Sequence, residues 1–196
     1  MFTKTYIFNL GLNNLGVSEP IQSENDNDDP RVILLNNYYN MARDTVLEQH
    51  DWKFASKYQS LALAVTDSPD PNYLYAYNLP NDCISPRALI SEFDRKEKKF
   101  ELATNSSGQK IILSNYDGCL LRYTKREVNE SLYSAPFVSA LAFYLAYLSA
   151  QVITGSANKK NTNLQDYQLT IRSAILTDAN KMTVHDQDDK DYTDFR

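Results

Sequence analysis

The stretch SAPFVSALAFYLAYLSAQVITG, residues 134–155, decides how the rest of the chain is read. Pro136 suits the first turn of a helix, the run from Phe137 to Ile153 is almost continuously apolar, and Gly155 is a natural stop. Such a run approaches the length of a membrane span. Ser139, Tyr144, Tyr147, Ser149 and Gln151 are spread through it, and no Lys or Arg stands close to either end as an anchor. The segment is therefore expected to be the central core helix of a globular body, with no membrane partner.

Downstream, residues 158–163 read as a polar loop carrying Lys159 and Lys160. A last helix is expected over about 162–182. Leu164, Tyr167, Ile171, Ala174, Ile175, Asp178 and Met182 fall largely on one stripe, with mostly polar residues opposite. From Val184 the chain turns acidic and reads as a flexible arm over 184–196.

Upstream, the periodicity changes. Between about Trp52 and Lys125, short apolar runs are broken by turn residues. The run 61–65 is followed by Asp67-Ser68-Pro69-Asp70-Pro71. Tyr73, Tyr75 and Tyr77 alternate with Leu74 and Ala76, a period of two that indicates a strand. Further strands are expected at 87–93, 100–104, 110–113 and 119–124, with tight hairpin turns at Ser106-Ser107-Gly108 and Tyr116-Asp117-Gly118. Before this region, Asp29-Pro30 opens a helix running to about His50, buried along Leu35, Tyr38, Tyr39, Ala42, Val46 and Gln49. An acidic loop, 19–29, separates it from a first short helix over 3–15. There Tyr6, Leu10 and Asn14 are spaced about one turn apart, and Gly16 acts as the stop. The expected architecture is α+β: an antiparallel helical bundle with a small antiparallel β insert and a flexible C-terminal arm. The parts are 1–51 and 133–183 for the helical body, 52–132 for the insert and 184–196 for the arm.

Composition agrees with a globular chain. Of 196 residues 42% are hydrophobic, and 5 glycines and 7 prolines are too few for a low-complexity chain. Fourteen tyrosines supply large contact area with a polar tip, the chemistry enriched where proteins meet proteins. The formal charge of −5 argues against tight nucleic-acid binding, which needs clustered cations. An acidic wall around a duplex would still let it slide. The N-terminus lacks a basic region followed by an apolar run, so no secretory leader is expected.

Residues that could carry chemistry have plainer readings. His50 and His185 lie far apart and no close Cys/His pair exists, so no metal is expected. His50-Asp51 could be a base and its orienter, but adjacent helical residues point about 100° apart. Cys83 follows Asp82, whose charge disfavours a thiolate, so a structural thiol is expected there. Carboxylates are plentiful, but none forms a recognisable acid–base pair. The run Arg95-Lys96-Glu97-Lys98-Lys99 is interleaved with Glu92, Asp94 and Glu101 and reads as a solvated hairpin tip. No cofactor motif is present: neither a glycine-rich dinucleotide loop, a P-loop nor a nucleophile elbow.

One order of features is distinctive. A short helix ending in Leu15-Gly16 precedes the acidic loop and long helix, which leads into Trp52-Lys53-Phe54-Ala55. Then come Tyr75-Ala76-Tyr77-Asn78-Leu79-Pro80-Asn81-Asp82-Cys83, the β stretch, Pro136-Phe137 with Leu145-Ala146, and a helix carrying Ala174 and Ala179. Over roughly residues 5–182 this order resembles the tail tubular protein A family, the head-to-tail adaptors of podovirus-like phages. The resemblance implies a non-enzymatic virion subunit, assembled in the host cytoplasm, in a homo-oligomeric ring of about twelve copies between portal protein and tail nozzle protein. Double-stranded DNA would pass through without sequence-specific binding. It also implies that the arm 184–196 reaches the portal, with Val184, Tyr192, Phe195 and Arg196 as contacts. Trp52 and Phe54 have a plain role beside it, cementing the passage from helix to insert. The rival from another class is a tail-associated hydrolase acting on cell-surface polysaccharide. A third is a monomeric regulatory binding module.

Overall fold

The computed structural model describes residues 1–64 and 68–180. Among the described residues the fold is α+β, with four α-helices and two small antiparallel sheets. The chain forms two compact units: Met1–Val46 together with the chain from Asn129 onward, and Leu47–Val128. The first boundary falls ahead of residue 51 because the end of the long helix is tied to the β region. Arg87 Nη2 donates to the carbonyl of Glu48, the helix's last residue (3.0 Å), and to that of His50 just beyond it (2.9 Å).

In the first unit, α1 (Lys4–Asn14) is capped by Thr3, whose hydroxyl accepts from the Tyr6 N–H at 3.2 Å. Its buried residues are Ile7, Phe8, Gly11 and Leu12. The helix expected from the spacing of Tyr6, Leu10 and Asn14 is present, but those residues are not its buried face, and Tyr6 is 50% exposed. The stripe shifts because Gly11 has no side chain and lets α1 approach α3 (Ala135–Thr154): a Cβ at Gly11 would lie 3.4 Å from the Ala142 carbonyl. Gly16, at φ 73°, ends the element as expected. Helix α2 (Pro30–Glu48) starts at the expected proline, with the Asp29 carboxylate accepting from the Arg31 N–H at 2.8 Å. Leu35, Tyr39, Ala42 and Val46 are buried as expected, whereas Tyr38 is half-buried and Gln49 exposed.

Helix α3 is central to its unit, packing against α1 and, along its length, α4 (Ala157–Asn180). It is long and apolar enough to cross a membrane, and half of that window is buried inside the protein. The polar loop expected at 158–163 is helix instead. Gly155 closes α3 in the left-handed region at φ 65°, and Ser156 accepts from the Lys159 N–H at 3.3 Å, so two residues make the whole turn. Of the expected α4 stripe, Tyr167, Ile171, Ala174 and Asp178 are buried and joined by Asn163, Leu164 and Ile175 are half-buried, and Met182 lies outside the described residues.

In the second unit, one sheet has the order β1 (Ser56–Ser60), β7 (Cys119–Lys125), β3 (Cys83–Ser91), β4 (Glu97–Lys98). The other has β2 (Tyr75–Asn78), β6 (Lys110–Ser114), β5 (Glu101–Thr104). Tyr77, Leu89, Ile112, Cys119, Leu121 and Tyr123 form the core with contributions from both sheets. Strand β3 starts four residues before the expected 87. Its Pro86 is tolerated because β4 pairs only with Leu89 and Ile90, leaving that edge open where a donor is missing. The Ser106-Ser107-Gly108 turn is the expected hairpin between β5 and β6. Tyr116-Asp117-Gly118 is not a hairpin: β6 and β7 belong to different sheets, so this turn carries the chain between layers.

Candidate functional site

The segment 79–83, within the motif-bearing stretch 75–83, joins β2 to β3. Pro80, which cannot donate to a ladder, stands two residues past the end of β2, and its carbonyl accepts from the Cys83 N–H at 2.9 Å, closing a turn. That turn projects Asp82 towards β1 and β7. Lys57 Nζ lies 2.9 Å from Asp82 Oδ2, and the Tyr123 hydroxyl 2.8 Å from Oδ1. Gln59 Oε1 is 3.1 Å from the same hydroxyl. With one proton to give, Tyr123 donates to the charged, nearer acceptor. The Lys57 ammonium also stands 5.7 Å over the Tyr123 ring.

Partial burial pushes the Asp82 carboxyl up, but the hydrogen bonds from Lys57 and Tyr123 outweigh it and hold the group below its usual value. The bond to Asp82 raises Lys57 in turn. Burial raises the Tyr123 hydroxyl. Burial, reinforced by the neighbouring Asp82, pushes the Cys83 thiol up to about 12. At neutral pH Asp82 is thus an anion, Lys57 a cation and Cys83 a thiol. The cluster can anchor the 79–83 turn; none of these four groups is poised to exchange a proton near pH 7. Clefts of about 420 and 440 Å3 open against the turn, the first reaching Gln109, Lys110 and Arg126, the second Lys57, Gln59 and Leu61.

His50 and Asp51 lie past the end of α2 at Glu48 rather than on it, and they engage different partners. The His50 ring meets Trp52 edge-on at 5.1 Å, and Asp51 pairs with Arg122 at 2.7 Å. Trp52 is fully buried and tilted against Phe54 at 6.0 Å. Among the described residues no group of three or more His, Cys, Asp or Glu gathers to hold a metal. Val184, Tyr192, Phe195 and Arg196 lie outside the described residues.

The sequence reading passed over exposed apolar side chains that could meet partners. Leu169 and Leu176, at 66% and 65% exposure, stand off the buried stripe of α4, on the side expected to be polar. Their seven-residue spacing was the available signal. Phe93 is 81% exposed beside the β3–β4 turn. No family model matches the chain, and no curated protein matches it.

Proposed function

We propose that this chain is a non-enzymatic head-to-tail adaptor of a short-tailed phage, a ring subunit of about twelve copies seated between portal and tail nozzle. In this reading the two helical segments close into one antiparallel bundle that forms the ring body, and 184–196 is a flexible arm that reaches the portal through Val184, Tyr192, Phe195 and Arg196. The subunit assembles in the host cytoplasm and ends in the virion neck, where its acidic surface lets DNA pass without gripping it.

The observation that supports the reading most is the chain order. A helical unit contributed by residues 1–46 and the chain from 129 is interrupted by a β unit, 47–128, and the motif-bearing segments fall in that sequence. Exposed Leu169, Leu176 and Val152 supply apolar surface for neighbours. Electron microscopy and native mass spectrometry of the protein, alone and with portal rings, test it. A closed ring is expected, and a persistent monomer that ignores portal overturns it. Removal of 184–196 should weaken portal attachment with the fold retained; unchanged docking would refute the arm's role.

A further inference from the structure

Asp117-Gly118 is the one place in the chain where an aspartate or asparagine precedes a glycine. It lies in the crossing between the two sheets, after β6 and directly before β7. The Gly118 N–H donates to Asp117 Oδ1 at 2.8 Å and makes no other hydrogen bond among the described residues. An amide nitrogen and the carboxyl group before it are thus already together, and no ladder holds the nitrogen away. Glycine leaves that nitrogen unshielded. Nothing larger fits there, because Gly118 has φ 59° and an added Cβ would lie 2.9 Å from the Phe93 ring. Asp117 is exposed, so water reaches it.

Asn105-Ser106 is a useful contrast, an amide side chain followed by a small residue. Asn105 is buried and its side chain is engaged at both ends. Its Oδ1 accepts from the N–H groups of Ser107 at 3.0 Å and Gln109 at 2.9 Å, and its Nδ2 donates to Gln109 Oε1 at 3.1 Å. A side chain held in this way does not turn back on its own main chain.

The geometry points to Asp117-Gly118 as a site of spontaneous covalent modification, converting to isoaspartate with water as the only co-reactant. The Gly118 nitrogen bonds to the Asp117 carboxyl carbon, the carboxyl hydroxyl leaves with the amide proton as water, and a five-membered imide closes. Water then opens the ring. Opening at the Asp117 main-chain carbonyl routes the chain through the side-chain carboxyl and lengthens it by one methylene. Both flanks of that bond are pinned. The Tyr116 carbonyl accepts from the Tyr77 hydroxyl at 2.7 Å and from the Cys119 thiol at 3.4 Å, and the Gly118 carbonyl accepts from the Glu92 N–H at 2.9 Å. A longer chain does not fit between these anchors, so conversion loosens the start of β7 and uncovers the buried Cys119 thiol. The site stands whether or not the chain forms rings.

The test incubates the full native chain in heavy-oxygen water at mildly acidic pH, beside the same chain unfolded in urea. Mass spectrometry with electron-transfer fragmentation then locates isoaspartate and heavy oxygen. Residue 117 is expected to convert in the native chain at a rate within about tenfold of the unfolded one, while Asn105 converts only after unfolding. Asp117→Glu, which needs a six-membered ring, should lower conversion by about tenfold or more with an unchanged circular dichroism spectrum. Conversion of 117 only in the unfolded chain overturns the site, as does native conversion of Asn105 at the same rate. Converted molecules should alkylate faster at Cys119 than unconverted ones; equal rates overturn the loosening and leave the site.

Discussion

Asp82 shows how one carboxylate can organise a loop. Its two oxygens hold Lys57 from β1 and Tyr123 from β7, and its own pKa is lowered even though burial opposes this. A group titrating lower in the folded than in the unfolded chain contributes stability that is complete above the ordinary carboxylate range, and that contribution fades as pH falls through the folded value. Asp82→Asn should therefore cost about 0.5–1 kcal/mol at pH 7, a modest figure because the Lys57–Asp82 pair is largely solvent-screened. The difference should shrink towards pH 3, and urea midpoints across that range would show it. A pH-independent difference would mean the charge is irrelevant. Cys83 gives a second residue-scale outcome. With its thiol raised to about 12, the thiolate fraction at pH 7 is roughly one in a hundred thousand. Alkylation of the native protein at pH 7 should be very slow at Cys83 and at buried Cys119, and rapid after unfolding, as mass spectrometry can count. The sequence already pointed to the effect of Asp82 on Cys83. It could not point to Lys57, which lies 25 positions away and meets Asp82 only because β1 pairs with β7.

At the scale of elements, the pairing of α1 with α3 depends on what Gly11 lacks. Gly11→Val would push a side chain into the Ala142 carbonyl and should cost about 1–3 kcal/mol, measurable as a lower thermal midpoint. An unchanged midpoint would mean the two helices part easily. This close approach also explains why the buried face of α1 lies off Tyr6, Leu10 and Asn14. Helical spacing gives several parallel stripes, and which one faces inward depends on the partner surface. Strand β1, Ser-Lys-Tyr-Gln-Ser, was illegible for a related reason. It is polar and half exposed, and it is a strand because β7 offers it a ladder. By contrast α2, α3 and β5 to β7 carried periodicities long or regular enough to read directly, and their bounds fall within a few residues of expectation.

For the whole molecule, the β unit has its own core of Tyr77, Leu89, Ile112, Cys119, Leu121 and Tyr123. Residues 47–128 expressed alone should thus keep a β-type circular dichroism spectrum and melt cooperatively; a featureless chain would show that this core needs the helices to form. The sequence by itself determined the class of fold, the order of helical and sheet regions, the central place of 135–154 and the caps and stops at Asp29-Pro30, Gly16 and Gly155. These follow from local sterics, hydrogen-bond capping and periodicity, which neighbouring residues fix among themselves. Only the tertiary structure decided which stripe of α1 is buried, that β6 and β7 separate into different sheets, and that Lys57 meets Asp82. Those depend on side chains distant in sequence meeting in space, where a carboxylate is neutralised or left free according to its neighbour and not its position.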